Sequence, residues 1–223
     1  MVDEYLDERE QAEQLKKWFK ENWLWLVAGV GLGLGGLYGW QGWNSHLDRK
    51  AEAAAVSFGE LVEAVEAGDR ERATALTAAL DAEYGGTAYA GQAQLMMARV
   101  EVESGEYDAA ATRLQGLSGH EDAELATVAR LRLARIRLQQ EQPDAALEVL
   151  AKLDGSAAAV RVEELRGDAR WAQGDPAAAA EAYRLAVAAA ESGIEPGEVD
   201  LDLLRLKLAQ AEAAGGGVTG ETE

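Results

Sequence analysis

Three groups of residues in this chain have types and spacings that could carry chemistry. Gly31, Gly33 and Gly36 form Gly-x-Gly-x-x-Gly, the pattern that lets a backbone approach a dinucleotide pyrophosphate at a helix N-terminus. Ser118, His120 and Asp122 are the nucleophile, base and orienting acid of an acyl-transfer triad. Glu63 with Glu66, and Glu163 with Glu164, pair carboxylates as acid–base catalysis requires. The elements that would have to position them argue against each. A dinucleotide loop follows a strand and opens a soluble helix, whereas these glycines lie inside an uncharged apolar run. A triad converges in space, whereas Ser118 to Asp122 reads as a loop entering a helix at Glu121. The acid pairs sit on helices rich in solvated charge. The chain has no Cys and only His46 and His120, which excludes disulfides, thiolate metal sites, cysteine nucleophiles and a histidine metal cluster. No catalytic residue, metal ligand or cofactor site is expected, and His46 reads as a residue of the membrane edge.

The glycines belong to a membrane span. No charged residue occurs from Asn22 to Ser45, and the 21 residues from Trp23 to Trp43 reach about 31 Å as a helix, enough for a hydrocarbon core of about 30 Å. Trp18, Trp23 and Trp25 lie at one end and Tyr38, Trp40 and Trp43 at the other, as in an interfacial aromatic belt. A cleaved signal peptide would have a short charged lead and a small-residue site after the apolar run. Here 22 polar-rich residues precede it, seven of them acidic, and Trp40-Gln41-Gly42-Trp43 follows, so an uncleaved anchor is expected. Arg9, Lys16, Lys17 and Lys20 outnumber Arg49 and Lys50 near the span, which favours a cytoplasmic N-terminus. Residues 1–22 form an amphipathic segment with Tyr5, Leu6, Leu15, Trp18 and Phe19 as its apolar positions. Gly31, Gly35 and Gly39 recur every fourth residue, a stripe that allows another transmembrane helix to approach.

Beyond the span the sequence repeats. Gly68-Asp69-Arg70-Glu71-Arg72-Ala73, Gly105-Glu106-Tyr107-Asp108-Ala109-Ala110, Glu141-Gln142-Pro143-Asp144-Ala145-Ala146 and Gly174-Asp175-Pro176-Ala177-Ala178-Ala179 are related words at offsets of 37, 36 and 33 residues. Each is a turn between two apolar-periodic helices, and a helix–turn–helix period near 34 is that of tetratricopeptide repeats. With 45 Ala and three Pro, the composition favours helix throughout. Helices are expected at 4–21, 22–43, 44–67, 69–83, 87–104, 107–117, 121–140, 143–152, 157–173, 176–192 and 198–213. The fold is therefore all-α: an N-terminal transmembrane helix followed by a tetratricopeptide-like α-solenoid. Its parts are residues 1–22, the span 23–43, a repeat domain 44–213 closed by a capping helix, and a tail 214–223 expected to be disordered.

The net charge of −19 argues against a nucleic-acid backbone as partner. What remains is binding by the first helices of the pairs, which line one face of such a stack. Counting back from the turns places Gln92, Leu95 and Arg99, then Val128, Leu131, Arg135 and Leu138, then Arg161, Glu164, Asp168 and Trp171 on that face. Arg99, Arg135, Asp168 and Trp171 are the candidate partner contacts, since Arg and aromatics dominate interface hot spots.

Assembled in this order, the chain resembles the YfgM family, the ancillary subunit of the bacterial Sec translocon. The resemblance covers about residues 1–210. It rests on Leu15-Lys16-Lys17-Trp18-Phe19-Lys20-Glu21-Asn22, on Gly39-Trp40-Gln41-Gly42-Trp43-Asn44-Ser45-His46, on Leu131-Arg132-Leu133-Ala134-Arg135 and on Leu165-Arg166-Gly167-Asp168-Ala169. The stretch ending at His46 is the most specific, and the Gly-rich segment from Gly215 departs from the family. The resemblance implies a single-pass inner-membrane protein of Gram-negative bacteria with a periplasmic repeat domain and no enzyme activity. It implies association with the SecYEG channel and with PpiD, a membrane-anchored periplasmic chaperone, and a part in passing newly translocated client proteins to periplasmic chaperones. A cytoplasmic link to a stress-response regulator is also known for the family. A repeat scaffold for another envelope assembly, in cell-envelope synthesis or cytochrome maturation, has the same architecture, since fold alone does not assign function. A site completed only on assembly would show as a deep polar pocket with converging carboxylates.

Overall fold

The structure, a computed structural model, describes residues 2–153, 158–193 and 200–217. Among the described residues it is built of helices alone: α1 (Val2–Glu66), α2 (Arg70–Tyr84), α3 (Ala88–Glu103), α4 (Tyr107–Leu117), α5 (Ala123–Gln139), α6 (Pro143–Ala151), α7 (Ala159–Ala172), α8 (Pro176–Glu191) and α9 (Leu201–Gly217). Two units divide the chain between Ala53 and Ala54.

The first unit is the larger part of α1. The expected breaks near residues 22 and 44 are absent: α1 runs through both positions, and no Pro stands there to end it, the first of the chain being Pro143. This is the one helix among the described residues that is long and apolar enough to cross a membrane. Its Trp, Leu and Val side chains from Leu15 to Trp43 are exposed, as a lipid-facing surface requires. Tyr5 and Leu6, expected on the apolar face of the leading segment, lie outside the residues whose side chains are described.

The second unit stacks helix pairs: α3 with α4, α5 with α6, α7 with α8, and α9 against α8, while the end of α1 shares a core cluster with α2 and α3 through Ala54, Leu61, Ala73, Leu80 and Met97. The first helices of successive pairs also touch, α3 with α5 and α5 with α7. Four turns at the repeat words set the pairing. Gly68, Gly105, Glu141 and Gly174 all have left-handed backbone, with φ of 71°, 77°, 58° and 78°. At each turn the same two bonds cap the preceding helix. The left-handed residue donates to the carbonyl three back, and the next residue donates to the carbonyl five before it: Asp69 to Ala64, Glu106 to Glu101, Gln142 to Arg137 and Asp175 to Arg170, at 2.8–3.0 Å. This is the Schellman motif. Asp69, Asp122 and Asp175 then cap the N-termini of α2, α5 and α8 through their carboxylates, while Pro143 and Pro176 open α6 and α8, where a missing N–H is harmless.

The repeat register is visible in the core. Ala73, Ala110, Ala146 and Ala179 are equivalent positions, and all are buried. So are Leu61, Ala98 and Ala134, with Gly167 at the fourth equivalent position. Successive pairs are also clipped together at the surface. Gln140 Nε2 donates to Asp108 Oδ1 at 2.7 Å, Gln173 Nε2 donates to Asp144 Oδ1 at 2.6 Å, and Arg70 pairs with Glu106.

The final helix differs from expectation at its end. It runs to Gly217, four residues into the segment expected to be disordered. Gly215 explains part of this, since it packs against the Pro176–Ala177 backbone at the start of α8. Residues 218–223 of that expected tail, and 198–199 of the expected helix start, lie outside the described residues.

Candidate partner-binding face

The residues with catalytic types do not converge. Ser118 Oγ donates to the Leu114 carbonyl at 3.0 Å, His120 Nδ1 accepts from the Asp122 N–H at 3.0 Å, and Asp122 Oδ1 accepts from Glu124 and Leu125 N–H at 2.9 and 3.1 Å. Each side chain serves its own stretch of backbone, which is the work of a helix entry. Glu163 pairs with Arg166 at 2.6 Å and Glu164 with Lys207 at 2.8 Å. Glu101 is 5 % exposed and holds Arg113 at 2.6 Å across α3 and α4. A polar cleft of about 360 Å³ between α4, α5 and α6 contains Arg130, Arg137, Lys152 and a single carboxylate, Glu148. Among the described residues no three His, Asp or Glu gather as metal ligands would.

The face lined by first helices is only partly as the residue spacing predicts. Gln92, Arg99, Arg135 and Trp171 are exposed, while Leu95, Val128, Leu138, Arg161, Glu164 and Asp168 are half-buried. Leu131 is 4 % exposed and lies in the core formed by α5, α6 and α7. Asp168 is engaged inside the stack. Its Oδ1 accepts from the Tyr183 hydroxyl at 2.8 Å and from Lys207 Nζ at 2.9 Å, so it ties α7 to α8 and α9. Burial alone would push the Lys207 ammonium down, but its hydrogen bonds to Glu164 and Asp168 override this and raise it above its ordinary 10.5. Burial, then the hydrogen bond to Asp168 and its negative charge, push the Tyr183 phenol far above its ordinary value.

Arg99 and Arg135 are brought together. They occupy the same register position on α3 and α5, and both line one cleft of about 200 Å³ with Arg132. Its floor is apolar: Ala98, Val102, Leu114 and Ile136. Arg99 Nε pairs with Glu103 Oε1 at 3.2 Å, and Arg132 Nη1 donates to the Leu95 carbonyl at 3.2 Å. The Arg132 guanidinium is lowered from its ordinary value, first by burial and then by the positive charges of Arg135 and Arg99. Residue spacing missed Arg132, although it stands three residues before Arg135 and so shares its side of the helix.

In the first unit, a Cβ added at Gly31, Gly35 or Gly39 would meet nothing within 4 Å. The stripe is open along the helix.

Comparison with known proteins accounts for both units. Residues 16–213 match the family model described as a tetratricopeptide repeat-like domain. The chain is 38% identical to the ancillary SecYEG translocon subunit of Escherichia coli over 82% of this chain and 88% of that one. The proteins of the same name from Haemophilus influenzae and Neisseria gonorrhoeae are each 30% identical, over 81% and 76% of this chain and 89% and 82% of theirs. No solved structure gives a significant match. The family-model match over residues 16–213, which takes in the apolar helix and the stacked pairs, and the identity to these relatives over more than four-fifths of their length place the chain in the family of ancillary SecYEG translocon subunits, the YfgM family.

Proposed function

We propose that this protein is a membrane-anchored scaffold that associates with the Sec translocon and helps newly translocated proteins pass to periplasmic chaperones. The observation that carries this reading is the extent of the likeness. Relatives named as ancillary SecYEG translocon subunits align with about four-fifths of the chain, and the match to the family model runs through the apolar helix and the repeats together. In this reading residues 23–43 cross the inner membrane, residues 1–22 are cytoplasmic and the repeat domain is periplasmic. The excess of Lys and Arg before the span supports that orientation.

Each part then has a role. Gly31, Gly35 and Gly39 offer a close-packing face to a helix of the channel complex. The face carrying Arg99, Arg135 and Trp171 meets a protein partner, such as a PpiD-like chaperone or an emerging chain, and Asp168 holds that face in shape from behind. The protein acts by binding rather than by catalysis, which the local backbone duties of Ser118, His120 and Asp122 favour. Affinity purification from gently solubilised membranes, followed by mass spectrometry, tests the proposal. Enrichment of SecYEG and a membrane-anchored periplasmic chaperone is the expected result. Recovery of cell-envelope synthesis or cytochrome maturation machinery without SecYEG would overturn it.

A further inference from the structure

We propose that the cleft between α3 and α5 docks an acidic peptide segment of a protein partner, one aliphatic side chain resting on Ala98, Val102, Leu114 and Ile136 while flanking carboxylates bind Arg99, Arg132 and Arg135. The proposal rests on the scaffold reading above and names the chemistry of the partner that one face selects.

The first argument is charge. The chain carries 40 acidic against 21 basic side chains, and several of its arginines find carboxylates: Arg113 with Glu101, Arg166 with Glu163, Arg184 with Glu212, Arg205 with Glu191. Around this cleft three guanidiniums converge, and among the described residues Glu103 is the sole carboxylate paired with any of them. Like charges drawn together repel, and of the three only Arg132 is bonded across from α5 to α3, through the Leu95 carbonyl. A carboxylate arriving from outside relieves that repulsion and takes two parallel N–H bonds from a guanidinium. The second argument is shape. The cleft walls are apolar, and a volume of about 200 Å³ is below the roughly 300–1,000 Å³ of small-molecule sites. It suits a side chain on a passing backbone. Arg99 and Arg135 are 36 residues apart and repeat one position on adjacent helices, so an extended segment crossing from α3 to α5 meets them in turn. Three cations in a chain of net charge −19 are too few to hold a nucleic-acid backbone.

The test uses the full chain in nanodiscs of uncharged lipid and a short fluorescent peptide in which Leu is flanked by Glu, read by fluorescence anisotropy. Saturable binding that weakens with salt is expected. The double variant Arg99→Glu, Arg135→Glu should bind at least about tenfold more weakly, and Arg72→Glu, outside the cleft, should bind as before. Arg135→Gln separates binding from folding: affinity falls while the melting temperature stays level or rises, because repulsion is relieved and the Arg132 bond to the Leu95 carbonyl is kept. Equal binding of peptides with Lys for Glu or Ser for Leu overturns the proposal, as does unchanged affinity in the double variant. Displacement by phosphatidylglycerol vesicles but not by the acidic peptide would assign the cleft to lipid headgroups and also overturn it. SecYEG recovery is scored in parallel. If SecYEG co-purifies but the peptide does not bind, only this inference fails; if the peptide binds and SecYEG does not co-purify, the scaffold reading fails and the cleft stands.

Discussion

The ring of Tyr183 on α8 stands where a side chain of residue 167 on α7 would be: a Cβ added to Gly167 collides with the ring edge. Tyr183 is 3 % exposed, and its hydroxyl is anchored on the neighbouring Asp168. The same register position pairs Ala98 with Leu114 and Ala134 with Leu150, each pair within one core cluster, and Leu61 with Thr77. Volume is exchanged between the partners while both remain buried: Gly with Tyr, Ala with Leu, Leu with Thr. The repeat conserves a filled space rather than a residue.

Gly167→Ala should therefore destabilise the repeat domain by about 1–3 kcal/mol through overpacking. Tyr183→Leu should also destabilise it, since the ring volume and the hydrogen bond to Asp168 are both lost. Together the two substitutions rebuild the Ala134–Leu150 pair, so the double variant should lose less than the sum, with a favourable coupling of roughly 0.5–3 kcal/mol. Urea unfolding of the four proteins in this cycle measures it. Strict additivity would mean that the ring and the glycine do not share the space.

A second prediction concerns the third turn. Glu141 adopts φ of 58° where the other three repeats have glycine, yet it makes the same capping bonds, to Leu138 at 3.0 Å and, through Gln142, to Arg137 at 2.8 Å. A left-handed backbone costs an ordinary L-residue roughly 1–2 kcal/mol. Glu141→Gly should raise stability by up to about 1 kcal/mol, the gain being reduced by the entropy of the unfolded glycine. Gly105→Ala should lower it by about 1 kcal/mol or more. Thermal melts of both variants decide the matter, and a destabilised Glu141→Gly would show that the glutamate side chain contributes more than the strain removes.

These features explain what could be read in advance. The turns were legible because each is local: a left-handed residue, a capping bond and a helix start lie within a few positions. The buried alanines were legible because the register repeats. The binding face was harder, because a first helix in a stack buries two sides and exposes a narrow strip. Leu131 falls on the wrong side of that strip, and Arg132 hides in the alternation Leu-Arg-Leu-Ala-Arg. Asp168 occupies the position equivalent to Arg99 and Arg135, but the group that claims it, Lys207, arrives 39 residues later on the capping helix. No spacing announces that partner. The end of α9 was misread for the opposite reason, since a glycine run looks like coil until Gly215 is seen against α8.

The Lys207 network has a pH signature. Lys207 and Tyr183 both hold their protons more tightly in the folded protein than their ordinary values of 10.5 and 10.0 allow. A group whose folded value is raised gives stability that is complete below the unfolded value and is lost as pH climbs through the folded one. Stability should therefore be level up to about pH 10 and decline above it. Lys207→Met and Tyr183→Phe should each flatten that decline. Absorbance at the tyrosinate band gives a direct check, with the Tyr183 phenol ionising only as the fold is lost. A decline of the same steepness in both variants would place its origin elsewhere.

The last prediction addresses the span. Gly31, Gly35 and Gly39 leave open space along α1, and at about 100° per residue they follow one side of it, with Gly33 on the opposite side. Close packing against a channel helix depends on backbone approach, which a Leu at any of the three would prevent. Gly31→Leu, Gly35→Leu and Gly39→Leu should each reduce SecYEG recovery from solubilised membranes roughly threefold to tenfold, with membrane insertion and the folding of the repeat domain unchanged. Gly33→Leu is the control, because it adds the same bulk and the same helix propensity on the other side. If it lowers recovery equally, helix stiffness or span hydrophobicity accounts for the effect and the stripe does not. If it leaves recovery intact, the contact has a direction, and that direction orients α1 toward the channel independently of anything the repeat domain binds.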